Sequence, residues 1–212
     1  AWVMSVPYES TTSYGAGTRN GPSAIIEASR QVEWFDREFD CEPLHKIGFH
    51  TLDPLGLVHR SPEAMQETIT TAVKGLLAGD PAPELLIVLG GEHSVTPGVV
   101  RGLSGEYGDD LVVVQIDAHA DLRESYQGDP LSHACIMARV REHTSRTIQI
   151  GIRSLCAEED VRIQHEGLCV CTMENYRQGT FDLRAAVRKL PDPVYLTVDV
   201  DAFDWSVIRS TG

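Results

Sequence analysis

The chain lacks the features that mark several large function classes. In 212 residues no apolar run approaches the ~20 that span a bilayer. No basic-then-apolar segment at the amino end has the form of a secretory leader. The first residue is Ala1 and strand-like sequence begins at once, so upstream residues are expected. Cations are scarce, with 18 Lys and Arg against 31 Asp and Glu and a formal charge of −13. That balance argues against nucleic acid, whose binding needs clustered basic side chains. It fits a cationic substrate or metal ions, and fits equally well a surface whose acidity only maintains solubility. Cysteine is sparse and odd in number: Cys41, Cys135, Cys156, Cys169 and Cys171, with no Cys-x-x-Cys pair. Cys169 and Cys171 flank Val170 in an apolar run and read as small core residues. Reduced thiols, and hence a cytoplasmic location, are the simplest expectation. There is no low-complexity tract, internal repeat or linker, so residues 1–212 are read as one domain large enough for a sizeable core.

What is present is a succession of short apolar runs alternating with helical patterns. Trp2 to Val6 opens as a strand, and Ser10 to Pro22 reads as a loop rich in Gly, Ser and Thr. That loop lacks a Gly-Lys-Ser/Thr ending and a Gly-x-Gly-x-x-Gly frame, so it is no phosphate cradle. It is either a shaped loop beside a pocket or a plain surface connection. A helix is expected from about Ser23, with Pro22 near its first turn and Ile25, Ile26, Ala28 to Val32 and Phe35 as apolar positions. Ile47 to Phe49 reads as a short strand. Ser61-Pro62-Glu63 sets an N-cap, a proline and a first-turn acid in the favoured order, for a helix to about Leu77. Its apolar face is Met65, Ile69, Ala72, Val73 and Leu76. Strands follow at 85–89, 111–116, 147–150, 168–171 and 194–198. Helices are expected from Ser94 or Thr96, over 132–141 and over 183–190. Apolar strands alternating with helices indicate βαβ units and a parallel sheet covered on both faces.

Three of these strands end in groups that bind metals. The run 85–89 leads to His93, the run 111–116 to Asp117, His119 and Asp121, and the run 194–198 to Asp199 and Asp201. Side chains two apart on extended backbone point the same way. In open parallel sheets the carboxyl ends of strands face the ligand crevice. Each cluster alone has a plain alternative: a strand cap and solvated turn for 117–121, a capping histidine for His93, turn residues for Asp199 and Asp201. Acids and imidazoles are costly to bury unpaired, and three such clusters at the same end of strands point to a cation. Four carboxylates and two imidazoles without thiolate do not match a closed structural zinc site. Mixed O/N ligation suits Mn²⁺ or a related ion, and four carboxylates balance two dications. A pair of ions sharing a water would lower its pKa and make hydroxide available near neutral pH.

Gly-Gly-Glu-His-Ser (90–94), Asp-Ala-His-Ala-Asp (117–121) and Thr-Val-Asp-Val-Asp (197–201) resemble, in order and spacing, the three signatures of the ureohydrolases: arginase, agmatinase and relatives. Pro7-Tyr8-Glu9, Ser13-Tyr14 and Gly17 to Pro22 are similar to the amino-terminal part of bacterial agmatinases. The resemblance implies a three-layer α/β/α fold with a mainly parallel central sheet and two Mn²⁺ per subunit. By position, His93 and Asp121 would hold one ion and His119 and Asp201 the other, with Asp117 and Asp199 bridging. It implies hydrolysis of a small cationic guanidinium substrate to urea and an amine by a metal-bridging hydroxide. Asp121 would carry the proton, and His133 matches the family's loop histidine, suited to proton transfer near pH 7. The plain alternative for His133 is a surface histidine at a helix start. Relatives commonly form trimers or hexamers, so a homo-oligomer is expected.

The stretch Leu122 to His133 lacks the Ser-Gly-Asn-Leu-His pattern with which arginases read an α-carboxylate, which favours agmatine, split to putrescine and urea. Guanidinobutyrate stays open, because Arg123 could pair with its carboxylate; arginase activity is a further alternative. Family members continue beyond their third signature, so the carboxyl-terminal part of the fold is expected to be missing. Trp205 and Arg209 stand where proline is usual, which puts the loop after Asp201 in question. Two other classes compete: a catalytically silent, metal-holding binding protein, and a single-zinc deacetylase of the same broad fold, against which His93 and the paired carboxylates speak.

Overall fold

In a computed structural model, residues 1–58 and 60–208 are described. The strands are β1 (Trp2–Val6), β2 (His50–Thr51), β3 (Leu86–Gly90), β4 (Val112–Ile116), β5 (Thr147–Ile152), β6 (Cys169–Thr172) and β7 (Val194–Val198). The helices are α1 (Gly21–Ser29), α2 (Pro43–Ile47), α3 (Pro62–Leu77), α4 (Thr96–Tyr107), α5 (Ile136–Val140), α6 (Ala157–Glu166), α7 (Met173–Gln178) and α8 (Leu183–Arg188). Every strand pair is parallel, so the parallel α/β architecture expected from the apolar runs is present. None of the described helices is long and apolar enough to cross a membrane.

Hydrogen bonding divides the strands into two sheets, in the orders β2-β1-β3 and β6-β5-β4-β7. The parallel central sheet is thus hydrogen-bonded in two parts, since among the described residues no ladder joins β3 to β7. The two sheets are held together by side chains: Leu103 of α4 and Tyr195 of β7 pack against the cores of both. In the first core, Met65, Ile69 and Val73 of α3 are fully buried beneath Met4 and Val6 of β1 and Val95 and Val99. Each such side chain contributes about 1.5–3 kcal/mol by leaving water. The helix begins as the sequence indicates, with Ser61 Oγ accepting the Ala64 N–H at 3.2 Å and Pro62 in the first turn. In the second core, Val113 of β4 and Tyr195 of β7 meet Val100 of α4, Ile136, Met137 and Val140 of α5 and Ile163 of α6. Alternation sends Val194, Leu196 and Val198 to the opposite face of β7, where they are 39%, 54% and 44% exposed.

Several local expectations are corrected. Residues 43–47 form α2, and the strand begins only at His50. Pro43 suits a first helical turn, and Gly48, at φ 68°, ends the helix where a strand from Ile47 was expected. Helix α1 stops at Ser29, and Ile25, Val32 and Phe35 are exposed, so their spacing does not mark a core face. Helices α6 and α7 were not anticipated. All five cysteines are unpaired. Cys171 is buried as expected, but Cys169 is exposed, because it is the first residue of an edge strand.

Candidate metal centre

The carboxyl ends of β3, β4 and β7 converge. Beyond β3, Gly91 passes so close to the segment after β1 that a Cβ there would lie 2.1 Å from the Tyr8 carbonyl oxygen. Only glycine permits this approach, which sends the chain into the short turn His93–Val95. Beyond β4, the segment 118–120 is bonded along the segment after β5: Arg153 and Ser154 donate N–H groups to Ala118 O, and Ala120 donates to Ser154 O. Gly151, at φ 94°, is where β5 clears Asp117; a Cβ would lie 3.0 Å from the Asp117 carbonyl oxygen. Asp121 adopts φ 52°, a left-handed conformation that Asp tolerates better than most residues. Beyond β7, Asp199 Oδ1 accepts the Asp201 N–H at 3.1 Å. Arg153 secures that turn by donating to the carbonyls of Asp201 and Ala202.

These turns bring all six candidate ligands together. Nδ1 of His93 lies 3.0 Å from Asp117 Oδ2, 3.3 Å from Asp121 Oδ2 and 3.3 Å from Asp199 Oδ2. Nδ1 of His119 lies 2.9 Å from Asp201 Oδ2 and 3.8 Å from Asp117 Oδ1. Asp117 thus turns one oxygen to each imidazole. Two sets of mutually close donor atoms result, His93–Asp117–Asp199 and Asp117–His119–Asp201. Asp121 joins the first through its contact with His93.

The electrostatics are those of a crowded anionic site. Burial opposes charge on His93, but its three carboxylate neighbours outweigh this and hold its pKa well above the ordinary histidine range. Asp201 raises His119 to about 9 against the opposing effect of partial burial. Burial pushes Asp121 up to about 7, with Asp117 adding to the rise and the imidazoles opposing it. Burial acts upward on Asp199 too, but His93 and the Asp201 N–H prevail and leave it at about 2.

A layer behind the ligands fixes their directions. Gln115 donates to Asp117 Oδ2 at 2.7 Å, and Gln149 donates to Gln115 Oε1 and Ala120 O, each at 2.6 Å. Nε2 of His93 is 3.0 Å from Thr197 Oγ1, which is 3.2 Å from Thr96 Oγ1. With Nε2 engaged there, Nδ1 is the nitrogen available as a ligand. Buried Glu159 accepts the Leu122 N–H at 2.8 Å and the Cys156 N–H at 2.7 Å, tying the turn at Asp121 to the start of α6. Sequence reasoning assigned no role to Gln115, Gln149, Thr197 or Glu159. The signal for the first was available: an amide in a buried run, two residues before Asp117 and on the same side.

His133 begins a short helical turn that packs against the turn at His93. Its ring meets Tyr126 edge-on, with centroids 5.8 Å apart, and Arg123 stacks over the same tyrosine at 5.1 Å. The loop at Ser10 and Thr11 lies beside this site, since both residues donate N–H groups to Glu92, next to His93. Trp205 is 69% exposed; Arg209 lies outside the described residues.

The donors fit divalent cations. His93 Nδ1 is buried among three carboxylate oxygens yet makes a hydrogen bond in proper geometry with none of them. A buried polar atom without a partner is costly, and a cation at the centre of that set would satisfy it together with the carboxylates. Carboxylate and imidazole donors without sulfur suit Mn²⁺-type ions.

The model of the arginase family matches residues 1–212. An N(1)-aminopropylagmatine ureohydrolase from Synechocystis sp. is 35% identical over 212 residues, covering 99% of this chain and 69% of the relative. An agmatinase from Pyrococcus horikoshii is 32% identical, with 99% and 71% covered. The solved agmatine ureohydrolase of Thermoplasma volcanium superposes with a TM-score of 0.84 at 28% identity, over 97% of this chain and 68% of that one.

Proposed function

Because the chain belongs to the arginase family, whose members named above are ureohydrolases, we propose that it hydrolyses agmatine or a closely related guanidinium amine to urea and the freed amine. The observation that carries this reading is the pair of ligand sets sharing Asp117, with His93 Nδ1 among three carboxylate oxygens and in a well-aligned hydrogen bond with none. In this reading His93 and Asp121 would hold one Mn²⁺ and His119 and Asp201 a second, with Asp117 and Asp199 contributing to both. Such a pair supplies Lewis-acid activation of water near neutral pH, which a weakly electrophilic guanidinium carbon requires. Asp121 would take the proton released by the attacking water and return it to the leaving nitrogen, and His133 would supply from solvent the further proton that makes the departing amine an ammonium.

Two features support a substrate without a carboxylate. The net charge of −13 favours a cation. Arg123, the nearby residue suited to a substrate carboxylate, is stacked on Tyr126 and lies 3.9 Å from Glu159. The 35% identical relative named for N(1)-aminopropylagmatine favours testing that substrate beside agmatine. Self-association is part of the reading, supported by exposed Trp34, Phe35, Phe39 and Phe49, and sedimentation measures it. A reducing, cytoplasmic setting is supported by the five unpaired thiols.

The test is urea release after Mn²⁺ loading. Agmatine or N(1)-aminopropylagmatine is expected to be the best substrate, with arginine and guanidinobutyrate poor. No urea from any of the four, with both ions bound, would refute the reading and leave a silent, metal-holding protein.

A further inference from the structure

Glu92 is buried beside His93 and belongs to neither ligand set. Its Oε2 accepts the N–H groups of Ser10 at 2.8 Å and Thr11 at 2.7 Å. Its Oε1 accepts the Thr11 hydroxyl at 3.0 Å and the Ser94 hydroxyl. A carboxylate offers roughly four acceptor sites, and these donors occupy them. The carboxylate therefore anchors residues distant in sequence, and it dictates where the Thr11 hydroxyl points.

Thr11 in turn meets His133. Its oxygen accepts the His133 backbone N–H at 3.0 Å and lies 3.3 Å from the ring Nδ1. A hydroxyl has one hydrogen, and Glu92 holds it. Toward the ring Thr11 can therefore act only as an acceptor, and that contact requires the hydrogen on Nδ1. The competing donor is Ser132 Oγ, 3.4 Å from the same nitrogen. Nε2 has no hydrogen-bond partner among the described residues and keeps its lone pair. The edge-on contact with Tyr126 limits rotation of the ring.

We propose that Glu92, acting through Thr11, is a positioning residue that fixes His133 as the Nδ1–H tautomer and leaves Nε2 as the nitrogen that exchanges protons. The catalytic use of His133 rests on the reading in the preceding section; the tautomer does not. The logic is that of a buried acid orienting an imidazole, with a hydroxyl interposed. It also gives the amino-terminal loop a role, since moving Thr11 would release both the ring and the start of its helical turn.

The test uses ¹⁵N-histidine NMR of the full metal-free chain, with His133 identified by its loss in His133→Asn. Wild type and Thr11→Ser are expected to show the Nδ1–H pattern. Thr11→Val is expected to lose it. Glu92→Gln is expected to keep its amide oxygen on the N–H groups of Ser10 and Thr11 and to face Thr11 with its NH₂, which cannot accept, so the Thr11 hydrogen turns toward the ring and the tautomer inverts. An Nε2–H pattern in wild type, or a Thr11→Val spectrum identical to wild type, would overturn the proposal. In the Mn²⁺-loaded enzyme Thr11→Val should lower kcat by about 10–100-fold, the effect of removing an imidazole's orienting partner. KM and bound Mn²⁺ should stay unchanged, and Thr11→Ser should restore the rate. Equal losses in Thr11→Ser and Thr11→Val would overturn it. If wild type releases no urea, the functional reading fails alone, and the spectra still decide the tautomer.

Discussion

The two imidazoles of the centre use the same nitrogen and share one carboxylate, but they live in different surroundings. His93 has a side chain 7% exposed, three carboxylate neighbours and a threonine behind it. His119 has a side chain 46% exposed, with Asp201 close and Asp117 farther off. Interior charge interactions are strong and poorly screened, whereas those at the surface are weakened by water and salt. In the proposed reading, the buried His93 half would therefore depend on a bound cation for its stability more than its counterpart does. The His119 half is solvated, and an ion held there would exchange more readily. The difference teaches that two formally similar ligand sets need not hold metal equally well, and the site should load and unload in sequence.

The largest effect should come from the element both halves share. Asp117→Ala is expected to remove both ions and reduce urea release to background; an intact pair of metals by elemental analysis would break the comparison at its root. Next comes the contrast itself. In the metal-free chain His93→Ala leaves three carboxylates without their cationic partner and should cost about 3–5 kcal/mol in denaturant unfolding. His119→Ala should cost clearly less, and equal costs would show that burial does not separate the halves. In Mn²⁺ titrations of the wild type, the ion at the His119 set should be the first removed by chelator.

A smaller effect is expected behind His93. Thr197→Val leaves the ligands in place but removes the partner of Nε2, and should weaken Mn²⁺ binding about 10–100-fold at the buried set alone. The pH dependence of the metal-free chain sharpens the other half. His119 is raised to about 9, so its stabilising contribution is full below the unfolded histidine value of about 6.5. That contribution is lost as pH rises through 9. The Tm should therefore fall between pH 6.5 and 9, less so in His119→Gln, and the rise in Tm on adding Mn²⁺ should be larger at pH 9 than at pH 6.5, because fewer protons compete there. The smallest effect should be at Trp205: an indole 69% exposed is expected to shift stability by no more than about 0.5 kcal/mol on change to Ala, measured by the same unfolding.

How legible each part was in the sequence follows from how local its cause is. The helix at 62–77 announced itself because its cap, proline and apolar face are all within it. Helix α6 did not, since Ala-Glu-Glu-Asp-Val-Arg-Ile-Gln-His-Glu has almost no apolar stripe and Val161 is exposed. Its local sign was Glu159, whose carboxylate caps Cys156 N–H. In the segment 23–35, apolar periodicity suggested a longer buried helix, yet Ile25, Val32 and Phe35 face solvent. Periodicity states which residues can share a face, not whether anything covers it.

By itself the sequence determined that acids and imidazoles stand at the ends of apolar strands, at a spacing of two, in a chain with excess negative charge. Extended backbone and the cost of burying unpaired polar groups suffice for that inference. Only the tertiary structure decided which oxygen of Asp117 turns to which imidazole, that Thr197 and Gln115 orient the ligands, and that one imidazole is buried while the other is solvated. It alone revealed that the described strands are hydrogen-bonded in two groups, and that Thr11 reaches His133 across 122 residues. Strand order, burial and contacts between distant segments depend on how the whole chain packs, and no local pattern encodes them.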